Sequence, residues 1–299
     1  MDLQQLRYVV EVADTSSFTK AAARCFVTQS ALSHQIAALE REIGTRLFVR
    51  SSRAVRLSEA GSAFLGHARA ALRAAEQAKE DAAAADGIVT GTLRIGVIPT
   101  LTAIDLPAVL VAYRDAHPDV RVELRVGNSD DLMAQLRLGS LDVALLGLRH
   151  DLKPVGVATR ALSTDRLVAV LPRWHELAGS GTISLRDLAG LTFADFPAST
   201  SGRLQSDTAF ASASIERDVA FEADSASMIL GLVAAGLAVT LLAPGTVARS
   251  GADVVTAELR DGPVRVELLA WDVDAPRNVA KAFLSVVAAA GPGEVSAAS

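Results

Sequence analysis

Thr28, Gln29, Ser30, Ser33 and His34 gather hydroxyl, amide and imidazole groups into one short stretch, and groups of those kinds form hydrogen bonds with base edges in the major groove of duplex DNA. Arginine crowds the segment that follows: between Arg41 and Arg56 there are five arginines and a single acid, Glu42. Arg50 and Arg53 are candidates for phosphate contacts, and an arginine at a turn can enter a narrow minor groove. Arg46 and Arg56 are expected to pack or to form salt bridges. A polar helix face alone is usually only solvated; the adjoining arginines turn the reading toward DNA. The whole chain is acidic, with 299 residues and a formal charge of -5, which speaks against coating nucleic acid. Residues 1–65 nevertheless carry a net +2 and leave -7 for the remainder, so the positive field is local.

These side chains need elements to present them. Leu3, Leu6, Val10 and Ala13 recur at helical spacing and predict a first helix that ends in the polar cluster of residues 14–17. A second helix is expected over residues 18–25, where Ala21, Ala22 and Ala23 allow close packing. Thr28 or Ser30 would cap a third helix whose stripe is Leu32, Ile36, Leu39 and Ile43, with Gln29, Ser30, Ser33 and His34 on the open side and Gly44 as its stop. This is the order of a helix-turn-helix, in which the second helix of the pair presents its N-terminal side chains to the major groove. Residues 47–57 read as two short strands around a polar turn, a wing. From Ser58 an alanine-rich segment carries the stripe Phe64, Leu65, Ala68, Leu72, Ala75 and Ala78 as far as Asp86-Gly87. About 28 helical residues extend on the order of 42 Å, and so long a helix with so narrow a stripe normally pairs with a second copy.

After Gly91 strands and helices alternate. Strands are expected at residues 93–98, 120–126, 142–146, 166–171, 191–196, 219–223, 238–242 and 264–271, with helices at 105–116, 130–138, 205–213, 226–235 and 277–290. Two successive α/β sets predict a two-lobed ligand-binding body. Thr100 and Thr102 follow the first strand and precede a helix whose free N–H groups attract anions; Asn128 and Ser129 occupy the matching exit after Val126. A small organic anion is therefore an expected ligand, although each hydroxyl also suits an ordinary helix cap, as do Ser225 and Ser227.

Several classes are disfavoured. One cysteine, Cys25, leaves no intramolecular disulfide or multi-cysteine zinc cluster, and its place beside Ala21 and Ala22 suits a buried thiol rather than a sensor. The five histidines are scattered. No Gly-x-Ser-x-Gly elbow occurs, and Gly231 to Gly236 has phosphate-loop spacing but Leu237 in place of the lysine. Neither cofactor nor metal is expected. The start of the chain has neither the basic flank nor the apolar run of a signal peptide, and no apolar stretch reaches membrane-spanning length, so a cytoplasmic protein without membrane attachment is expected. The tail after Pro292 reads as disordered.

Phe18-Thr-Lys-Ala-Ala, Thr28-Gln-Ser-Ala-Leu-Ser-His-Gln-Ile, Leu39-Glu-Arg-Glu-Ile-Gly, Arg46-Leu-Phe-Val-Arg and Val55-Arg-Leu-Ser-Glu-Ala-Gly, in that order, resemble the N-terminal signature of LysR-type transcriptional regulators. The likeness continues more weakly through Gly96-Val97, residues 138–145 and residues 232–239. Ser30 and His34 stand where the family frequently has proline and arginine. The resemblance implies an α/β protein with a winged helix-turn-helix at residues 1–58, a dimerising linker helix at 59–90 and an effector domain at 91–299 like periplasmic binding proteins. Lobe I would take about 91–161 and 267–299, and lobe II about 162–266. It further implies that Phe196, Thr200 and Ser201 reach a shared cleft from the opposite lobe, and that the chain is a homodimer or homotetramer on promoter DNA, with RNA polymerase a candidate partner. Rival readings are a solute-binding protein or a cleft enzyme on the same body. The winged unit argues against the first, and the lack of a nucleophile, base or cofactor set argues against the second.

Overall fold

A computed structural model describes residues 1–50, 55–84, 88–273 and 276–289. The chain divides into two units, one formed by residues 1–91 with Leu138–Ser140 and the other by the rest.

In the first unit, α1 (Leu3–Thr15) opens with a capping box between Asp2 and Gln5, and α2 (Phe18–Arg24) follows after Ser17 caps it. α3 (Gln29–Ile43) starts at Thr28, whose hydroxyl accepts from the Ala31 N–H, and stops at Gly44, φ 75°. β1 (Phe48–Arg50) and β2 (Val55–Leu57) pair antiparallel, and α4 (Glu59–Ala84) completes the unit. Its core joins Val9, Val12, Phe18, Ala21, Ala22, Leu32, Ile36, Leu39, Leu47 and Phe48, with the Phe18 and Phe48 rings edge to face at 5.7 Å. Two stripes differ from expectation. On α1 the buried set is Gln5, Leu6, Tyr8, Val9 and Val12, while Leu3 is half exposed, because Gln5 lies inward and donates to Gln35. On α3 the stripe closes at Leu39, and Ile43, in the last turn, is exposed. Along α4, Leu65 and Ala68 are buried, Leu72 and Ala75 are half-buried and Ala78 is exposed. The tip of the wing, with Arg53, the Arg50 side chain, the expected end of the linker at Asp86-Gly87 and the tail after Pro292 lie outside the described residues.

The second unit holds two α/β lobes. β3 (Gly91–Val97), α5 (Leu106–Ala116), β4 (Val120–Val126), α6 (Ser129–Arg137), β5 (Val143–Arg149) and β6 (Ala158–Arg166) come first. The chain then passes into β7 (Val168–Pro172), β8 (Thr182–Ile183), β9 (Thr192–Asp195), α7 (Ser201–Ser212), β10 (Asp218–Glu222), α8 (Ala226–Ala234), β11 (Thr240–Leu242), α9 (Pro244–Ser250) and β12 (Val254–Leu259). It returns through β13 (Val264–Trp271) and ends in α10 (Asn278–Ala289). The first lobe is a five-stranded sheet ordered β4-β3-β5-β13-β6; the second combines the order β11-β7-β12-β8 with the pair β10-β9. Sequence periodicity missed β6, β8, α9 and β12, which are short or carry polar residues at alternate positions. β6 belongs to the first sheet up to Arg166 and β13 from Val264, so the chain crosses between lobes at Leu167 and at residues 260–263, not at 161 and 267. Leu167 N–H donates to the Pro263 carbonyl at 2.9 Å, and Arg166 donates to the Gly262 carbonyl at 2.8 Å, which ties the two crossings together.

Candidate nucleic-acid interface and ligand cavity

The turn before α3 sets how its open face is presented. Cys25 N–H bonds to Ala21, Phe26 to Ala23 and Val27 to Ala22, the reversed pairing of a Schellman end in which the residue after the cap is left-handed. Phe26 takes that position at φ 55°, where glycine is usual, and its side chain is 96% exposed. α3 then leaves the turn with Gln29, Ser30 and His34 exposed and Ser33 half-buried, opposite the stripe Leu32, Ile36 and Leu39. Thr28 is exposed too, but its oxygen is taken up by the cap and by a 3.1 Å contact with the Ser30 hydroxyl. The helix thus offers amide, hydroxyl and imidazole groups along one side. Lys20, Arg41, Arg46 and Arg56 are exposed on the same unit. The wing is anchored to α3 by Glu40, which accepts from the Leu47 N–H at 2.7 Å and the Phe48 N–H at 3.2 Å. Gly61 lets α4 approach this point: a Cβ there would stand 2.0 Å from the Leu47 carbonyl oxygen. Cys25 is half-buried against the same core, and burial first, then Glu11, pushes its thiol pKa up against the pull of Arg7, which disfavours the reactive thiolate.

In the second unit a cavity of about 390 Å³ lies where the two lobes face each other. Its first wall is the ends of β3 and β4 with α6, at the place where neighbours of β3 lie on opposite sides of it, the usual ligand crevice of an open α/β sheet. Its second wall is the stretch after β9, the start of α7 and the end of β11. Thr100, Asn128, Ser129, Phe196 and Thr200 line it; Thr102 and Ser201 do not. Thr102 donates its hydroxyl at 2.8 Å and its N–H to Glu267, and Ser201 donates its hydroxyl and N–H to Asp130, each at 2.8 Å. Most lining groups are also engaged. The Ser129 hydroxyl exchanges bonds with Gly147 at 3.0 Å, Asn128 caps α6 through Asp131, and Thr200 caps α7 at Arg203.

The residues with most to say to a ligand were not singled out from the sequence. Arg265 lines the cavity, is 6% exposed, and donates to the Thr100 hydroxyl at 2.9 Å, to the Thr100 carbonyl at 3.0 Å and to Glu267. Glu267 is fully buried and also accepts the Ala103 N–H at 2.8 Å. Arg265 and Glu267 stand two apart on β13, on one face of a strand that is otherwise apolar, and that pair of opposite charges was the available signal. Gln205, Asp131 and Asp224 also line the cavity. Behind Phe196, Asp195 accepts from Arg217 at 2.6 Å and from the Phe196 N–H at 2.7 Å, and Arg217 lies over the rings of Phe193 and Phe210 at 5.2 and 5.3 Å. Burial, opposed chiefly by Arg217, pushes the Asp195 carboxyl up to about 6.

Among the described residues no group of His, Cys, Asp and Glu is placed to hold a metal, and no helix is long and apolar enough to cross a membrane. Residues 3–62 match the family of bacterial regulatory helix-turn-helix proteins of the lysR family, and residues 87–292 match the LysR substrate binding domain. The chain is 35% identical over 250 residues to the HTH-type transcriptional regulator ShiR of Corynebacterium glutamicum (strain R), covering 82% of this chain and 84% of the relative. It is 35% identical over 255 residues to the transcriptional dual regulator GltC of Bacillus subtilis (strain 168), covering 84% and 83%. The crystal structure of full-length CbnR complexed with its target DNA matches at a TM-score of 0.65 and 25% identity, covering 97% of this chain and 100% of that one. With a helix-turn-helix ahead of a two-lobed cavity and both family models matched in order, the chain belongs to the LysR family: it is a DNA-binding transcriptional regulator with an effector-binding domain, and not an enzyme.

Proposed function

We propose that Gln29, Ser30, Ser33 and His34 read base edges in the major groove of a promoter, with Thr28 setting the start of the helix and Arg50 and Arg53 holding phosphates on either side. The observation that carries this reading is the row of exposed polar side chains on α3 opposite its buried stripe, in a chain similar to CbnR, which has been solved on its target DNA. The cavity between the lobes takes a small-molecule effector, and effector binding shifts the population of effector-domain states to which DNA affinity is coupled. The stripe on α4, with Leu72 and Ala75 half-buried and Ala78 exposed in the single chain, supports pairing with a second copy, so the working form is a cytoplasmic homodimer, or a homotetramer built from two, that meets RNA polymerase at the promoter. The organic anion expected from the sequence finds weak support in the lining, where Arg265 is already matched by Glu267. A footprint on the chain's own promoter, repeated with candidate metabolites, tests the reading: protection that changes in extent or strength with one metabolite supports it, and protection indifferent to every occupant of the cavity removes the effector role.

A further inference from the structure

The helix start that borders this cavity is already matched with a carboxylate from within the chain. Residues 200 and 202 line the cavity at the start of α7, and between them Ser201 gives its N–H and hydroxyl to Asp130, which projects from the first turn of α6 in the other lobe. The N-terminus of α7 is thereby matched with a carboxylate. The start of α6 is closed by its own Asn128 side chain, and the start of α8 by Ser225. The charged side chains of the lining are Asp131, Asp224 and Arg265, and Arg265 is neutralised by the buried Glu267. Arg249, which donates to the Leu101 and Thr102 carbonyls, lines a neighbouring groove rather than this cavity. The Nε of Arg265 has no hydrogen-bond partner among the described residues, but it is buried inside the wall and closed to the cavity, so it offers nothing to an anion.

We infer that the cavity selects an effector without an acidic group, one that offers a donor to Asp131 or Asp224 and lays an apolar body against Phe196 and Leu241, and that Asp130 is the residue that turns carboxylates away. The inference rests on the cavity being the effector site. An entering carboxylate would meet Asp131 and Asp224 with no free cation to answer it, and would have to displace Asp130 to reach the α7 N–H groups.

Calorimetric titration of the full-length protein with benzamide, benzylammonium and benzoate, three probes of one shape and different charge, tests this. Wild type should bind benzamide or benzylammonium at least tenfold more tightly than benzoate. Asp130→Ala should gain at least tenfold for benzoate and little for the other two, and Asp130→Asn, which keeps the shape and loses the charge, guards against a folding defect when its melting temperature matches wild type. Wild-type preference for benzoate, binding of none of the three, or folded Asp130 variants with unchanged benzoate affinity would each overturn the inference. Phe196→Ala separates the two levels: benzoate binding that it abolishes would sink the charge selection and leave the cavity as the site, whereas probe binding that it leaves unchanged would remove the cavity reading itself.

Discussion

Asp195 shows what a single buried carboxyl contributes beneath the cavity wall. Its pKa is raised to about 6 by burial, whereas in the unfolded chain the group returns to about 4. The fold therefore favours the protonated form, a contribution that is whole below about pH 4 and lost as pH rises through about 6. Asp195→Asn stays neutral throughout, so its stability relative to wild type should improve between pH 4 and pH 7; urea melts at both values measure this, and a constant difference would contradict the assigned shift. At the DNA face, Gln29→Ala with Ser33→Ala should erode discrimination between promoter and random duplex by about 1–3 kcal/mol per lost base contact. Arg50→Ala should weaken binding to every duplex alike and reduce the salt slope by about 1. Salt titrations of both variants separate the two roles, and a double variant with full discrimination would refute the placement of α3. The polar face of α3 was legible because helical spacing alone sorts Gln29, Ser30 and His34 from Leu32 and Ile36. Arg265, Asp130 and Glu267 were not, since each acquires its meaning from a partner such as Thr100, Ser201 or Thr102 that only the fold brings near.

Elements with strong period or firm ends were read well, among them α3 between Thr28 and Gly44 and the strands β4 and β13. β6 was missed because its exposed positions, Thr159, Ala161, Thr164 and Arg166, follow no polar and apolar alternation, and only its pairing along β13 makes it a strand. The helix-turn-helix bend could not be anticipated either, as it places Phe26 at φ 55° where sequence rules look for glycine. Phe26→Gly should relieve that backbone and raise the stability of the first unit by on the order of 1 kcal/mol; a fall in its melting temperature would show that the exposed ring is itself held by a contact. On α4, Leu72 is half-buried in the single chain, and Leu72→Glu should lower the mass measured by light scattering toward that of one chain. An unchanged oligomer would place the pairing surface elsewhere.

At the scale of the whole molecule, the sequence divides its charge and its tasks together: the slight excess of positive charge sits in residues 1–65 and the acidity in the remainder. That division suits a regulator whose short basic head meets DNA while an acidic, ligand-holding body stays off it. The two crossings at Leu167 and residues 260–263 leave the lobes joined by few backbone links, the arrangement through which a ligand in the cavity can shift their populations. The account is tested most directly by fluorescence anisotropy of the full-length protein on a labelled duplex from its own promoter, against a scrambled duplex of the same length and composition, at physiological salt. It predicts at least a hundredfold tighter binding to the promoter, most of which is lost in the Gln29→Ala, Ser33→Ala double variant; equal affinity for both duplexes, or a double variant indistinguishable from wild type, would contradict it.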